Sequence, residues 1–194
     1  SGDGIKDLVG SSIGEFCKQA TVREPTHVLS TEYLVLAMAH GIFERGRDVS
    51  PFQIALSNEQ SRHPVDESQL SDAAMAVLQD SDFASANISL AVLDDETMHE
   101  LNRRHLDHDY PTDVLSFMLE NDGDHLEGEV VLSADTAASV ASDLGHSAAH
   151  EQLLYVIHGM LHLVGFDDHS ETAAQEMQVA EERYLQRFGA QLSR

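Results

Sequence analysis

A single cysteine, Cys17, is all that the 194 residues offer in sulfhydryl chemistry, so no internal disulfide can form and nothing in cysteine usage points to secretion. Long apolar runs are also missing. The longest, YLVLAMAHGIF at Tyr33 to Phe43, falls well short of the roughly 20 residues that span a bilayer. The opening SGDGIKDLVG lacks a basic region leading into an apolar stretch and does not read as a signal peptide. A soluble cytoplasmic protein with no membrane partner is therefore expected. Cations are scarce too: 11 Lys and Arg stand against 34 Asp and Glu, a net charge of −23. The deficit is uneven, because residues 1–51 carry seven acids and five bases, leaving 27 acids and six bases to the rest. Such a field repels nucleic acid unless local basic groups or a metal offset it, and no DNA partner is expected. A salt-rich environment would equally favour so acidic a surface.

What is present is a globular composition, 42% hydrophobic, enough for one domain with a real core. The composition shifts near Ser50 and Pro51, which divides an N-terminal extension of unknown role, residues 1–51, from a domain over residues 52–194. Within the extension, Ser30 to Phe43 reads as one helix capped by Ser30 or Thr31. From Phe52, FQIALS alternates as a half-buried strand does. Asp66 caps a helix through about Leu78, with Leu70, Ala73, Ala74 and Val77 on one face. Ile88 to Leu93 reads as a strand, and Asp94 caps a short helix carrying Met98, Leu101 and Asn102. DYPTDVLSFML turns at Pro111 and continues as a strand. The acidic turn ENDGDH leads to a further strand, LEGEVVLS, and Ala134 to Leu144 is helical. Glu151 to Val164 is apolar nearly all round and reads as a buried helix ended by Gly165. Ser170 caps the last helix, which turns Met177, Leu185 and Phe188 toward the core. Strands come mostly early and helices late, without regular βαβ alternation. This order predicts an α+β fold, a small mixed sheet packed with helices.

The chemistry is concentrated in HGMLHLVGFDDH, residues 158–169. His158 and His162 lie four apart, one above the other on a helix face, a spacing that a tetrahedral metal accepts. Gly165 can turn the chain so that Asp167, Asp168 or His169 returns toward the imidazoles. The spacing resembles the long zinc-protease motif, with Asp168 at the place of its third ligand. Two histidines on a buried helix are often plain core residues; the glycine and the carboxylate tip the reading toward a metal. In zinc proteases the residue after the first histidine is a glutamate base, whereas here it is Gly159, which can do no proton chemistry. A conventional peptidase mechanism is not expected.

These residues resemble a known family. HGMLHLVGFDDH is similar to HGxLHLxGYDH, the signature of the YbeY-type metal-dependent endoribonucleases. Leu101 to Phe117, LNRRHLDHDYPTDVLSF, resembles that family's LNxxYRxxDxPTDVLSF, and GEVVLS at Gly128 to Ser133 resembles its GDIVIS strand. Three ordered blocks covering roughly residues 52–188 are far more specific than one. The resemblance implies a zincin-like metal-binding helix and one zinc ion per chain. It implies cleavage of ribosomal RNA at the 3′ end of the small-subunit RNA, ribosome quality control, and the small ribosomal subunit as partner. His158 and His162 become the metal-ligating and catalytic residues, with Asp168 as third ligand and His169 as the alternative. Asp168 stands where the family has its third histidine, and Leu106 where it has a functionally important arginine. Arg103 or Arg104 is a candidate replacement at the substrate phosphate; Asp113 and Ser116 are candidates to face the groove beside the metal. His105 and His108, in the preceding segment, are the nearest candidates for proton transfer at neutral pH.

Overall fold

The computed structural model describes residues 50–106 and 112–190; within it, the side chains of Asn102 and of residues 104–106 are outside the described part. The helix expected over Ser30 to Phe43, the turn at Pro111, His105, His108, Arg104 and Leu106 therefore lie outside the description. Four strands, β1 (Phe52–Asn58), β2 (Ser85–Leu93), β3 (Val114–Asn121) and β4 (His125–Ser133), form one sheet in the order β1-β2-β4-β3. The pairs β1–β2 and β2–β4 are parallel and β3–β4 is antiparallel. Among the described residues five helices accompany them: α1 (Glu67–Gln79), α2 (Asp95–Leu106), α3 (Ala134–Leu144), α4 (Ala148–Leu163) and α5 (Glu171–Arg187). The α+β expectation holds. The opening β1-α1-β2 is nonetheless a parallel crossover unit, a pairing that strand periodicity alone does not reveal.

Local chemistry sets the helix ends. The Asp66 carboxylate accepts from the Gln69 amide at 3.0 Å, Asp94 from Thr97 at 2.9 Å and Ser170 from Ala173 at 3.2 Å. Ser147 accepts from Ala149 at 3.2 Å, which starts α4 at Ala148, three residues before the expected Glu151. The strand β2 also begins earlier than expected, at Ser85, because its foot pairs in parallel with His125 at the start of β4.

The two faces of the sheet are unequal. Ile88, Leu90, Val92, Val114, Leu126, Val130 and Leu132 point into the larger core, filled by α1, α4 and α5. Their alternates Ala91, Leu93, Leu115, Phe117 and Val131 form a smaller core under Met98 and Leu101 of α2. Every residue of α4 from Glu151 to Leu163 is buried, as its uniformly apolar sequence predicts. It seats so closely that a Cβ on Gly159 would stand 2.6 Å from Val130 Cγ1 and 3.4 Å from Val114 Cγ2. A side chain there would force Val130 to shift. The position of the protease glutamate is thus turned onto the sheet, and the absence read in the sequence is a packing requirement.

Among the described residues no helix is long and apolar enough to cross a membrane.

Candidate metal centre

The helix α4 ends in a Schellman turn: Phe166 N–H donates to Leu161 O at 3.0 Å and Gly165 N–H to His162 O at 3.1 Å. Gly165 supplies the φ of +101° that this turn needs. The chain then runs back beside the helix it has left. One consequence is that Phe166 O accepts from His162 Nδ1–H at 3.1 Å. Another is that Asp168 is brought back to the helix, its Oδ2 4.0 Å from His162 Nε2.

His158 and His162 are 2% and 1% exposed, with ring centroids 4.6 Å apart at 88°. His158 Nδ1 donates to the carboxylate of Glu181, from α5, at 2.6 Å. Since a carbonyl and a carboxylate only accept, both Nδ1 atoms carry protons, and in their neutral forms the rings would present bare Nε2 atoms to each other. Those atoms are 3.0 Å apart. Two lone pairs at that distance repel. A tetrahedral ion about 2.0–2.1 Å from each would hold them about 3.3 Å apart, close to the spacing found. Asp168 Oδ2 is buried without a hydrogen-bond partner among the described residues, and the ligand atoms of His158, His162 and Asp168 all lie within 4.8 Å of one another. An orphaned carboxylate oxygen facing two imidazole lone pairs is what a divalent cation satisfies. The donor set fits a metal.

Electrostatics agree with that fit. Burial, and then the neighbouring His158, push the His162 imidazole below its ordinary value, which keeps it neutral and ready to donate electrons. His169 points away. Its side chain is 70% exposed and bonded to Asp167, an interaction that raises His169 and lowers Asp167. Of the two residues considered for the third position, the structure brings Asp168 to the histidines and leaves His169 in solvent.

Asp113 lies just before the strand β3 and Ser116 within it, and they are 6% and 1% exposed. Asp113 accepts from the Val114 amide at 2.9 Å and the Thr112 hydroxyl at 3.2 Å. Burial raises its carboxyl above the ordinary range, partly opposed by that amide bond and by the nearby His158. Ser116 shares the face of Val114, toward α4, and its hydroxyl has no partner among the described residues. Arg103 is exposed on α2, the helix that covers the opposite face of the sheet.

Sequence reasoning missed Glu181, and with it a second buried polar group on α4. Glu151, in the helix's first turn, binds His146 Nε2 at 2.5 Å and the hydroxyl of Tyr155. Glu151, Tyr155, His158 and His162 follow at helical spacing along one stripe. A signal for Glu181 was available: it occupies a core position between Met177 and Leu185, where a carboxylate requires a partner.

The family model described as "Endoribonuclease YbeY" matches residues 55–189. Curated relatives carrying that name include one from Moorella thermoacetica, 36% identical over 71% of this chain and 97% of its own. Another, from Salinibacter ruber, is 34% identical over 70% of this chain and 91% of its own. One from Rhodopirellula baltica is 40% identical over 64% of this chain, which spans only 65% of that relative's length. Among solved structures, the solution structure of TM1509 from Thermotoga maritima superimposes with a TM-score of 0.50 at 22% identity, covering 71% of this chain and 92% of that one, a likeness of fold. Motif blocks, sheet topology, helix-borne histidines and these matches converge, and the chain belongs to the endoribonuclease YbeY family.

Proposed function

We propose that the chain is a zinc-dependent endoribonuclease in which His158, His162 and Asp168 hold the ion and a fourth position is left to water. The observation that carries this reading is the pair of Nε2 atoms 3.0 Å apart, both Nδ1 protons engaged elsewhere, beside the unpartnered Asp168 oxygen. Zinc held by these residues would supply a Lewis acid for a phosphoryl oxygen and would make a bound water more acidic. The protein's part is to hold two neutral imidazoles and a carboxylate rigidly, on a buried helix and its Schellman turn, and to keep the ligands dry. Asp113, just before the neighbouring strand, offers a carboxyl to a proton in transit, and Ser116, within it, a buried hydroxyl beside the helix. Local phosphate binding at such a site would reconcile RNA binding with the charge of −23.

The substrate proposed is ribosomal RNA, at the 3′ end of the small-subunit RNA, with the small ribosomal subunit as partner, work in ribosome quality control and a cytoplasmic location. Residues 1–51 stand as an extension outside the nuclease domain. Leu106, at the place of the family arginine, favours a second reading: a ribosome-assembly factor whose metal is structural. Elemental analysis of the native protein and of His158→Ala and Asp168→Ala, with RNA cleavage on the same samples, separates the two. About one zinc per chain, lost from both variants together with cleavage, supports the enzyme. Zinc without cleavage supports the assembly factor, and wild-type protein without metal refutes both.

A further inference from the structure

The structure assigns a positioning role to Glu181: we propose that it holds His158 in the tautomer and ring orientation that leave Nε2 bare toward His162 and Asp168. The inference deepens the proposed metal reading and rests on it for its affinity readout. Three observations carry it. The Glu181 carboxylate is 2.6 Å from His158 Nδ1, and both residues are at most 3% exposed, so water does not compete for that proton. Glu181 sits among Met177, Ala180, Tyr184 and Leu185, all buried, where a carboxylate is retained only against the cost of desolvation. The helix α5 packs along α4, so the bond ties the ligand helix to an element that contributes no ligand itself.

The chemistry is specific to a carboxylate. An ionised carboxylate can only accept, so it selects the Nδ1–H tautomer and leaves Nε2 free to bind a cation. Glutamine in the same place can present its amide N–H instead, which selects Nε2–H and blocks the ligand atom. Alanine leaves the Nδ1 proton without this partner. His162 obtains the same orientation from a backbone carbonyl, so Glu181 is where side-chain substitution reaches the tautomer.

The experiment uses the full chain, stripped of metal by chelation, as wild type, Glu181→Gln and Glu181→Ala. Ring-nitrogen NMR on the apo protein reads the His158 tautomer, competition against a chromophoric chelator reads zinc affinity, and thermal unfolding of the apo protein reads the fold. The expected wild-type spectrum has Nδ1 protonated and Nε2 bare at His158. Glu181→Gln should give a mixed or reversed tautomer and zinc binding weaker by about 10–100-fold, with the apo fold retained. Glutamine keeps the volume, so this variant decides if Glu181→Ala does not fold. Wild-type His158 with its proton on Nε2, or Glu181→Gln with wild-type tautomer and affinity within about two-fold, overturns the assignment. If the wild type takes up no zinc, the proposed function fails separately, and the tautomer spectra still decide Glu181.

Discussion

The contact between Gly159 and the sheet can be tested by adding one methyl group. Gly159 lies inside α4, and its backbone is not among the positive-φ glycines, so alanine is conformationally acceptable there. On helix propensity alone, Gly159→Ala should stabilise the protein by about 1 kcal/mol. The new Cβ, however, would lie 2.6 Å from Val130 Cγ1 and 3.2 Å from Cγ2. Val130 is β-branched, fully buried and flanked by paired strands on both sides, so it cannot rotate away cheaply. Overpacking of this kind costs about 1–3 kcal/mol. The net expectation is a loss of up to about 2 kcal/mol, a fall in melting temperature of up to roughly 6 °C for a domain of this size. The decisive measurement is the same substitution in a Val130→Ala background. Val130→Ala alone costs on the order of 2 kcal/mol through lost burial and a cavity. In that background the clash is gone, and Gly159→Ala should become stabilising, partly refilling the space. Urea unfolding of the four proteins closes the double-mutant cycle. A Gly159→Ala protein more stable than wild type, or a cycle with no coupling, would refute the packing argument.

Other expectations are more compact. His169→Ala should leave metal content unchanged, because His169 is 70% exposed and turned to Asp167; loss of the metal on elemental analysis would return it to the ligand set. Burial alone pushes Glu129 up to about 7 from 4.5, so the folded state favours its protonated form. Its charge therefore costs nothing below the unfolded value, and the cost grows between pH 4.5 and about 7 and stays constant above. Glu129→Gln should accordingly stabilise by up to about 3 kcal/mol at pH 8 and by almost nothing at pH 4, measured by denaturant titration at both. Equal effects at the two pH values would show that the carboxylate is solvated. Finally, self-repulsion in a chain of charge −23 should make the melting temperature rise as potassium chloride goes from about 0.05 to 1 M, and a flat response would mean that the charges are already compensated locally.

The parts of the fold legible in the sequence are those governed by neighbours along the chain. Asp66, Asp94 and Ser170 announce their helices because a cap is a contact across three residues. Likewise the HxxxH spacing and Gly165 bring the histidines and Asp168 together within a single turn. Pairing is different. That β4 pairs with β2 as well as with its hairpin partner β3 depends on contacts across tens of residues, and alternation carries no partner label. Glu181 escaped for the same reason, 23 positions from the imidazole it binds. Gly159 was noticed for the chemistry it lacks, whereas its cause, Val130 against the helix backbone, belongs to tertiary packing.

The bare face of α4 at Gly159 also bears on how this chemistry could change through mutation. Zinc peptidases place a glutamate base immediately after the first histidine of the same spacing. Here a single substitution would write that motif into the sequence, yet the new side chain would be driven into Val130 and Val114. The path from nuclease to peptidase is therefore closed at its first step and opens only after the sheet has been hollowed beneath the helix, at a loss of stability that selection would resist. Two histidine-pair motifs that differ by one letter after the first histidine are separated in practice by a wall of valines.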